Sequence, residues 1–251
     1  MMANSKRALY RLLRSHVGRL APLHEAFWRI QRALISNAVF SAAWKSVLER
    51  RRLRLHEISP VEDLGLGSET VLFPGVKESS CDEDAFLEDL LFLLHLAKSR
   101  QCLRVLEVGT YRAKTTYALH LNLPRAFIRS YDIRRIESPF RALLEASPQA
   151  DLQIASFADS RSQLQREAPF DFIFIDGSHR LEHVLQDSEV AFEIIAPGGV
   201  IVWHDYRKNG FIAPDLQVPE ALEILATKHK ISGVKDTNCA LFIRPAAESS
   251  T

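Results

Sequence analysis

Between residues 102 and 244 short apolar runs alternate with segments of helical periodicity, and this alternation restricts the fold more than any other feature. The first run, CLRVLEV at 102–108, is apolar over most of its length, which is typical of a strand covered on both faces. Strands are predicted at 102–108, 127–133, 152–156, 170–176, 197–205, 229–234 and 238–244, and helices at 82–100, 113–121, 138–147, 180–195 and 218–228. Such an order predicts an α/β domain with a doubly wound, mostly parallel, seven-stranded sheet. Ligands of these sheets bind beyond the carboxyl ends of the strands, so we expect the functional residues there.

The charge of the chain is unevenly distributed and divides it into parts. The formal net charge is +1, yet residues 1–60 hold 12 basic and 3 acidic side chains and so carry +9, which leaves −8 on the remainder. Helical spacing of apolar residues over 5–55 predicts a basic helical extension over 1–60, followed by a linker or lid over 61–80 and the main domain over 81–251. Three roles stay open for the extension: packing on the main domain or on a second subunit of a homo-oligomer, peripheral membrane contact through residues 1–55, and a mitochondrial transit peptide.

The composition argues against several classes of protein. Cys81, Cys102 and Cys239 are far apart and form no CxxC pair, so we expect reduced thiols in a cytoplasmic protein and neither a disulfide framework nor a zinc site. No apolar run reaches the roughly 18 residues that a membrane-spanning helix needs. The basic residues of the extension occur without a recognised nucleic-acid-binding module, so no nucleic-acid partner is expected.

A single glycine follows the first predicted strand of the alternating region, in VLEVGTYRAKTT at 105–116. Glu107 ends the strand, and Gly109 opens a turn in which only a residue without Cβ lets the backbone pass close to a ligand. Thr115 lies at the start of the following helix, where free N–H groups and the helix dipole favour a carboxylate or another anion. This strand, turn and helix therefore form a candidate ligand-binding surface.

Polar residues also follow the next two predicted strands. Asp132 comes 23 positions after Gly109, and an acid at about this spacing can accept hydrogen bonds from both hydroxyls of a ribose. The same side chain could instead cap its own turn. Asp159 and Ser160, in the segment FADS, could cap the start of a helix.

Two later segments, FDFIFIDGSHRLEHVLQD at 170–187 and IAPGGVIVWHDY at 195–206, resemble class I S-adenosylmethionine-dependent methyltransferases, in particular a subfamily with IDGxH and PGGxxxxHD motifs. The turn at 105–116 resembles the first motif of that class, ExGxxxGxST, with Ala113 where the family has its second glycine, and we expect a tighter pocket there. The resemblance covers residues 65–245 and implies a Rossmann-like fold that binds S-adenosylmethionine. The implied cofactor-binding residues are Glu107, Gly109, Thr110, Tyr111, Thr115, Asp132, Asp159, Ser160 and Asp176, with the adenine near Asp159 and Ser160.

A cluster of acids and histidines follows the fourth and fifth predicted strands. The resemblance to catechol O-methyltransferase implies that Asp176 and Asp205 hold Mg²⁺, with His204 as a third ligand. Tyr206 stands where those enzymes have asparagine. His179 is the expected general base, acting beside Asp176, because an imidazole titrates near neutral pH. The alternative is that His179 only caps the next helix or binds Asp176.

The resemblance implies methyl transfer to a hydroxyl of a small molecule or sugar, with Mg²⁺ assistance. An NAD(P)-dependent oxidoreductase would share the strand, turn and acid, but it requires GxGxxG, and Gly109 is the only glycine between 103 and 176. A non-catalytic adaptor, binding S-adenosylmethionine or recruited to a membrane, is the other alternative, because Ala113 and Tyr206 depart from the family pattern.

Overall fold

The computed structural model of the 251-residue chain describes residues 55–66, 70–72, 87–206 and 217–246. The predicted helical extension up to residue 54 and part of the predicted linker or lid lie outside these ranges, so their predictions are untested. No helix within the described ranges is both long and apolar enough to span a bilayer.

The described residues form an eight-stranded sheet, whose strands we number in chain order. The strands are β1 His56–Ile58, β2 Arg104–Val108, β3 Phe127–Asp132, β4 Ala150–Ile154, β5 Phe170–Ile175, β6 Ile195–Trp203, β7 Ile231–Val234 and β8 Ala240–Ile243. Their order across the sheet is β1-β7-β8-β6-β5-β2-β3-β4, and β8 runs antiparallel to both of its neighbours while the other pairs are parallel. The predicted α/β fold with a mostly parallel sheet is confirmed, with one strand more than the predicted seven.

The additional strand, β1, lies in the segment that the sequence analysis assigned to the helical extension. Ile58 is the register partner of Val234 in β7, and its carbonyl accepts a hydrogen bond of 3.0 Å from the Lys235 amide. Three residues with the sequence HEI carry too little periodicity to be recognised as a strand, and their conformation is set by the pairing with β7. The compact unit that contains the sheet begins at Leu55, before the boundary predicted at residue 60.

The helices of the described residues are α1 Leu87–Ser99, α2 Lys114–Asn122, α3 Pro139–Glu145, α4 Arg161–Glu167, α5 Leu181–Ile194 and α6 Val218–Leu225. Helix α4 was not predicted, because its sequence RSQLQRE buries Leu164 alone and shows no apolar repeat. Strand β4 begins two residues before its predicted position, since its start is determined by pairing with β3, where Ala150 is opposite Ile128.

The strand order reverses between β2 and β5, and this point positions the site. Strand β2 pairs with β3 on one side and with β5 on the other, so the chain leaves β2 and β5 in opposite directions. Helix α1 contributes Leu93 and Leu94 to the core cluster that also holds Phe172 and Val202 of the central strands. Because β2, β3, β5 and β6 run parallel, the segments that follow them collect at one edge of the sheet, where ligands of such folds bind.

Candidate active site

The turn after β2 is packed tightly against the end of β5. Gly109 has φ +99°, and a Cβ there would overlap the carbonyl oxygen of Asp176 and lie 2.9 Å from Cα of Gly177. The Asp176 amide donates a hydrogen bond of 2.8 Å to the Val108 carbonyl, and the Gly109 amide donates one of 2.8 Å to Tyr131. From the sequence, the approach of a ligand was the expected reason for this glycine. In the structure its own neighbour, the backbone of Asp176, requires the missing Cβ.

The rest of the turn contains two further left-handed residues. Tyr111 has φ 44° and Ala113 has φ 61°, a conformation that costs a residue with a Cβ roughly 1–2 kcal/mol. Ala113 is completely buried, and its amide donates a hydrogen bond of 2.6 Å to the Thr110 carbonyl. The left-handed backbone accounts for a glycine preference at this position, and alanine keeps the turn intact here. Thr115, in the first turn of α2, lies beyond it and is half-buried.

Glu107 ends in a buried polar cluster below the turn. Its Oε2 accepts hydrogen bonds from the Thr116 hydroxyl and, at 2.7 Å, from the Ser130 hydroxyl. The Thr110 hydroxyl lies 2.5 Å from the Ser130 hydroxyl. Burial raises the pKa of the Glu107 carboxyl to about 8, although the hydrogen bonds from Thr116 and Ser130 act in the opposite direction. Glu107 is therefore mostly protonated at neutral pH in the folded protein.

Asp132, at the end of β3, holds the neighbouring turn with both of its oxygens. Its Oδ2 accepts a hydrogen bond of 2.7 Å from the Tyr111 amide, and its Oδ1 accepts one of 2.9 Å from the Arg134 amide. An ionised carboxylate offers about four lone-pair sites, so these two bonds leave acceptor capacity for the hydroxyls of a ribose. The capping role and the predicted ribose role are thus compatible at this residue.

Asp159 and Ser160 form part of a short 3₁₀ turn after β4. The Asp159 amide donates to the Ser156 hydroxyl at 3.3 Å, and its side chain is exposed. The Ser160 hydroxyl donates back to the Ser156 carbonyl at 2.8 Å. The carboxylate of Asp159 is therefore available to a ligand, whereas the hydroxyl of Ser160 is used in a hydrogen bond within the turn.

Three predicted residues meet at the ends of β5 and β6. Asp176, His179 and Asp205 each direct a ligand atom into one spot, and these atoms lie within 4.8 Å of one another. The His179 Nε2 atom lies 2.9 Å from Asp205 Oδ2 and 3.7 Å from Asp176 Oδ1. Two carboxylates and an imidazole at this separation could hold a divalent cation.

His204 takes a different position from the predicted one. Its Nδ1 lies 3.2 Å from Asp176 Oδ1 and 3.0 Å from Asp205 Oδ1, and its Nε2 lies 2.9 Å from Asp89 Oδ2. Both ring nitrogens thus face carboxylates, so neither offers a lone pair to a metal. The set of side chains able to hold a cation has His179 in place of the predicted His204.

The carboxylates control the ionisation of both histidines. Burial opposes the charged imidazole of His179, but Asp176 and Asp205 outweigh it and raise its pKa to about 9. Burial likewise opposes the charge of His204, whose pKa is nevertheless raised by the carboxylates around it. For Asp176, burial disfavours ionisation, and the two histidines more than compensate, so that its pKa lies below the ordinary value. In this arrangement His179 is protonated at neutral pH, which differs from the neutral base expected from the sequence.

Asp205 and Tyr206 show how β6 ends. Asp205 is buried, and its backbone is left-handed, with φ 61°, a sparsely populated conformation of the kind found at functional sites. The Tyr206 amide donates a hydrogen bond of 2.9 Å to the Asn238 carbonyl, and its buried ring lies against Gly233 of β7. Tyr206 thus packs in the core. Its presence where catechol O-methyltransferase-like enzymes have asparagine leaves the cluster of Asp176, His179 and Asp205 in place.

Asp89 is a candidate site residue that the sequence did not indicate, and Asn238 is its hydrogen-bonding neighbour. Asp89, on α1, is 1% exposed; its Oδ1 accepts a hydrogen bond of 2.7 Å from the Asn238 amide, and its Oδ2 lies 3.3 Å from the Asn238 side-chain nitrogen. These contacts join residues more than one hundred positions apart, and no local motif marks either of them. In the sequence, nothing distinguishes Asp89 from the other acidic residues of the same predicted helix.

Comparison with known proteins finds a matching family model and solved structures of the same fold. A family model described as a methyltransferase domain matches residues 91–206, while the curated proteins contain no match. Solved structures with the same fold include an O-methyltransferase from Bacillus cereus in complex with SAH (21% identity, TM-score 0.52, 65% of this chain and 84% of that one). They also include TomG from Streptomyces achromogenes in complex with SAM (21%, 0.52, 66% and 83%) and cofactor-bound Rv0187 from MTB (18%, 0.52, 87% and 97%).

The family match, the fold and the motifs agree: residues 91–206 match a methyltransferase domain, and the sheet has the same fold as solved O-methyltransferases in complex with SAH or SAM. The nicotinamide-dependent alternative predicts a sheet whose outer strands continue in parallel order. The antiparallel β8, inserted between β6 and β7, does not follow that order.

Proposed function

We propose that the protein transfers the methyl group of S-adenosylmethionine to a hydroxyl group of a small molecule or sugar. One observation carries the proposal: two groups of residues lie at the edge of the sheet formed by the carboxyl ends of the strands, on either side of the point where the strand order reverses between β2 and β5. One is the turn at Gly109 together with Asp132, and the other is the cluster of Asp176, His179 and Asp205. A cofactor on the first surface would present its methyl group to an acceptor held at the second.

The cofactor surface is built from three strand ends. The backbone around Gly109 would contact the methionine part, and the helix dipole at the start of α2, near Thr115, would attract its carboxylate. Asp132 retains acceptor capacity for the ribose, and the exposed Asp159 lies beyond β4 for the adenine amino group. The bound SAH and SAM of the Bacillus cereus enzyme and of TomG support this choice of cofactor for a chain of the same fold.

The acceptor would lie over Asp176, His179 and Asp205. The sulfonium methyl is already electrophilic, so the protein has mainly to hold an acceptor oxygen in line with it. The partly exposed ring of His179, 37% accessible at its side chain, would receive the acceptor proton after releasing its own proton to solvent. Asp205 fixes the orientation of that ring by the 2.9 Å contact to Nε2.

A divalent cation fits the same cluster. Mg²⁺ is commonly held by one or two carboxylates together with water and substrate, and Asp176 and Asp205 supply two carboxylates whose oxygens lie within 4.8 Å of one another and of His179. Such an ion would lower the pKa of the acceptor hydroxyl. The cation and the proton of His179 would compete for the same carboxylate oxygens. If the cation assists the reaction, a chelator should lower the rate of methyl transfer.

Calorimetry tests the cofactor assignment. We expect S-adenosylhomocysteine to bind the full chain and NAD to give no heat of binding, because the turn around Gly109 lacks the GxGxxG pattern. Binding of NAD in preference to S-adenosylhomocysteine would contradict the proposal.

A radiolabelled-cofactor screen against a pooled cell extract, with and without chelator, tests transfer itself. Label in a product that is stable to mild base would indicate an ether or amine and exclude an ester. Cofactor binding without any transfer would favour the non-catalytic alternative.

Substitutions in the cluster should separate transfer from cofactor binding. Asp176→Asn and His179→Gln are expected to lower the rate of label transfer at least about 100-fold, since general base and electrostatic groups contribute on this order. His183→Gln is the matched control: it removes an imidazole four residues further on, whose Nδ1 contacts the Ser178 hydroxyl at 2.7 Å, and it should change the rate little. Undiminished transfer by His179→Gln would remove that residue from the catalytic role.

A further inference from the structure

We propose that Asp89 is a positioning residue for this site: it fixes the ring of His204, and His204 in turn fixes the carboxylates of Asp176 and Asp205. The inference rests on the proposed function, in which that cluster binds the methyl acceptor. Asp89 belongs to α1 and lies outside every motif of the resemblance, and it acts on the reacting groups only through His204.

The Asp89 carboxylate is held rigidly on its own side. It is 1% exposed, and the backbone amide of Asn238, in the turn between β7 and β8, donates a 2.7 Å hydrogen bond to Oδ1. The side-chain nitrogen of Asn238 lies 3.3 Å from Oδ2. Helix α1 is itself anchored by fully buried leucines, Leu93 and Leu94, so the carboxylate has little freedom to move.

The imidazole of His204 connects this anchor to the site. Its Nε2 lies 2.9 Å from Asp89 Oδ2, and its Nδ1 lies 3.2 Å from Asp176 and 3.0 Å from Asp205. The residue is 3% exposed and its ring meets Phe174 edge to face, with the centroids 6.2 Å apart. A ring so deeply buried does not touch an acceptor, so its effect on chemistry passes through the two carboxylates.

Alternating acids and histidines thus form a continuous chain from the core to the cleft. It runs from Asp89 through His204 and Asp205 to the partly exposed His179, with contacts of 2.9, 3.0 and 2.9 Å. Without Asp89, the Nε2 of His204 would lose the carboxylate oxygen that lies 2.9 Å from it, and a lost partner is costly for a buried polar group. The ring would then be free to turn, and the carboxylates of Asp176 and Asp205 would lose the N–H group that fixes their positions.

The experiment compares Asp89→Asn with the wild-type chain by nitrogen-15 spectra of the histidine rings, with His204 assigned from His204→Gln. We expect two protected ring N–H signals for His204 in the wild type and the loss or a large shift of the Nε2–H signal in Asp89→Asn. Label transfer should fall about 10–100-fold, the usual effect of removing a group that orients such ligands, with S-adenosylhomocysteine still bound. Asn238→Ala removes the 3.3 Å side-chain contact and leaves the His204 contact in place, so its histidine spectrum should match the wild type.

Several results would overturn the inference. These are an unchanged His204 spectrum in Asp89→Asn, full transfer activity in that variant, or an equal spectral change in Asn238→Ala, which would reduce Asp89 to a packing role. If the wild-type chain fails to bind S-adenosylhomocysteine, the proposed function fails, while the spectra still report on Asp89 and His204. Should Asp89→Asn not fold, Asp89→Ser must show the same spectral change for the inference to stand.

Discussion

Gly109→Ala is expected to destabilise the domain by about 2–5 kcal/mol and to abolish binding of S-adenosylhomocysteine. Two costs combine: roughly 1–2 kcal/mol for a Cβ at positive φ and about 1–3 kcal/mol for forcing extra volume into a packed site. At Gly109 the added atom would overlap the carbonyl oxygen of Asp176 and lie 2.9 Å from Cα of Gly177. Because both contacts are with backbone, rotation of a side chain cannot relieve them, and β2 and β5 would have to separate.

Gly198→Ala is the matched control for the backbone term alone. Gly198 also has positive φ, +76°, but a Cβ there would meet no atom within 4 Å. It should therefore lose only about 1–2 kcal/mol. Urea unfolding of both variants gives the two free energies, and their difference measures the clash. Equal losses in the two variants would show that the close packing of β2 against β5 contributes nothing.

Glu107→Gln should make the protein less sensitive to alkaline pH. The folded-state pKa of Glu107 is raised from about 4.5 to about 8, mainly by burial. A carboxyl with a raised folded pKa stabilises fully below its unfolded pKa, and this contribution is lost as the pH rises towards the folded pKa. Over the window from about 4.5 to 8 the loss can reach about 5 kcal/mol, at about 1.4 kcal/mol per unit of pKa shift. Glutamine keeps an oxygen to accept from Thr116 and Ser130 but has no proton to lose.

The measurement is the free energy of unfolding of wild type and Glu107→Gln at several pH values between 4 and 9. At the acid end both side chains are neutral, so the two proteins should be similar in stability, which provides an internal reference. Towards pH 8 the variant should become progressively more stable relative to the wild type. A difference that is constant with pH would mean that Glu107 ionises normally in the folded protein.

The sequence predicted the centre of the sheet better than its edges. Strand β2 and strand β5 are buried on both faces, so their apolar runs were visible without any knowledge of their neighbours. Strand β1 and helix α4 owe their conformation to contacts made elsewhere: β1 to its pairing with β7, and α4 to the burial of one leucine. Local patterns contain little information about either.

The site shows the same division. Asp132, Asp176 and Asp205 were found because each ends or follows a strand, and the carboxyl ends of parallel strands meet at one edge. The roles of the two histidines were harder to assign, because His204 and His179 differ in what surrounds them and not in their distance from a strand. The role of His204 depends on Asp89, which lies 115 positions earlier on a helix and contacts the Nε2 atom of His204. No rule of sequence spacing predicts this contact.

The left-handed backbone at Ala113 has a consequence for how relatives of this chain are searched for. A text pattern that demands two glycines after the strand would reject this sequence, although Ala113 adopts the left-handed backbone conformation that glycine favours. The methyl group of Ala113 costs roughly 1–2 kcal/mol of backbone energy, whereas at Gly109 an added carbon would also overlap the Asp176 carbonyl oxygen. Search profiles written in torsion angles, with glycine compulsory at the first position and merely favoured at the second, should therefore recover diverged enzymes that letter-based motifs discard.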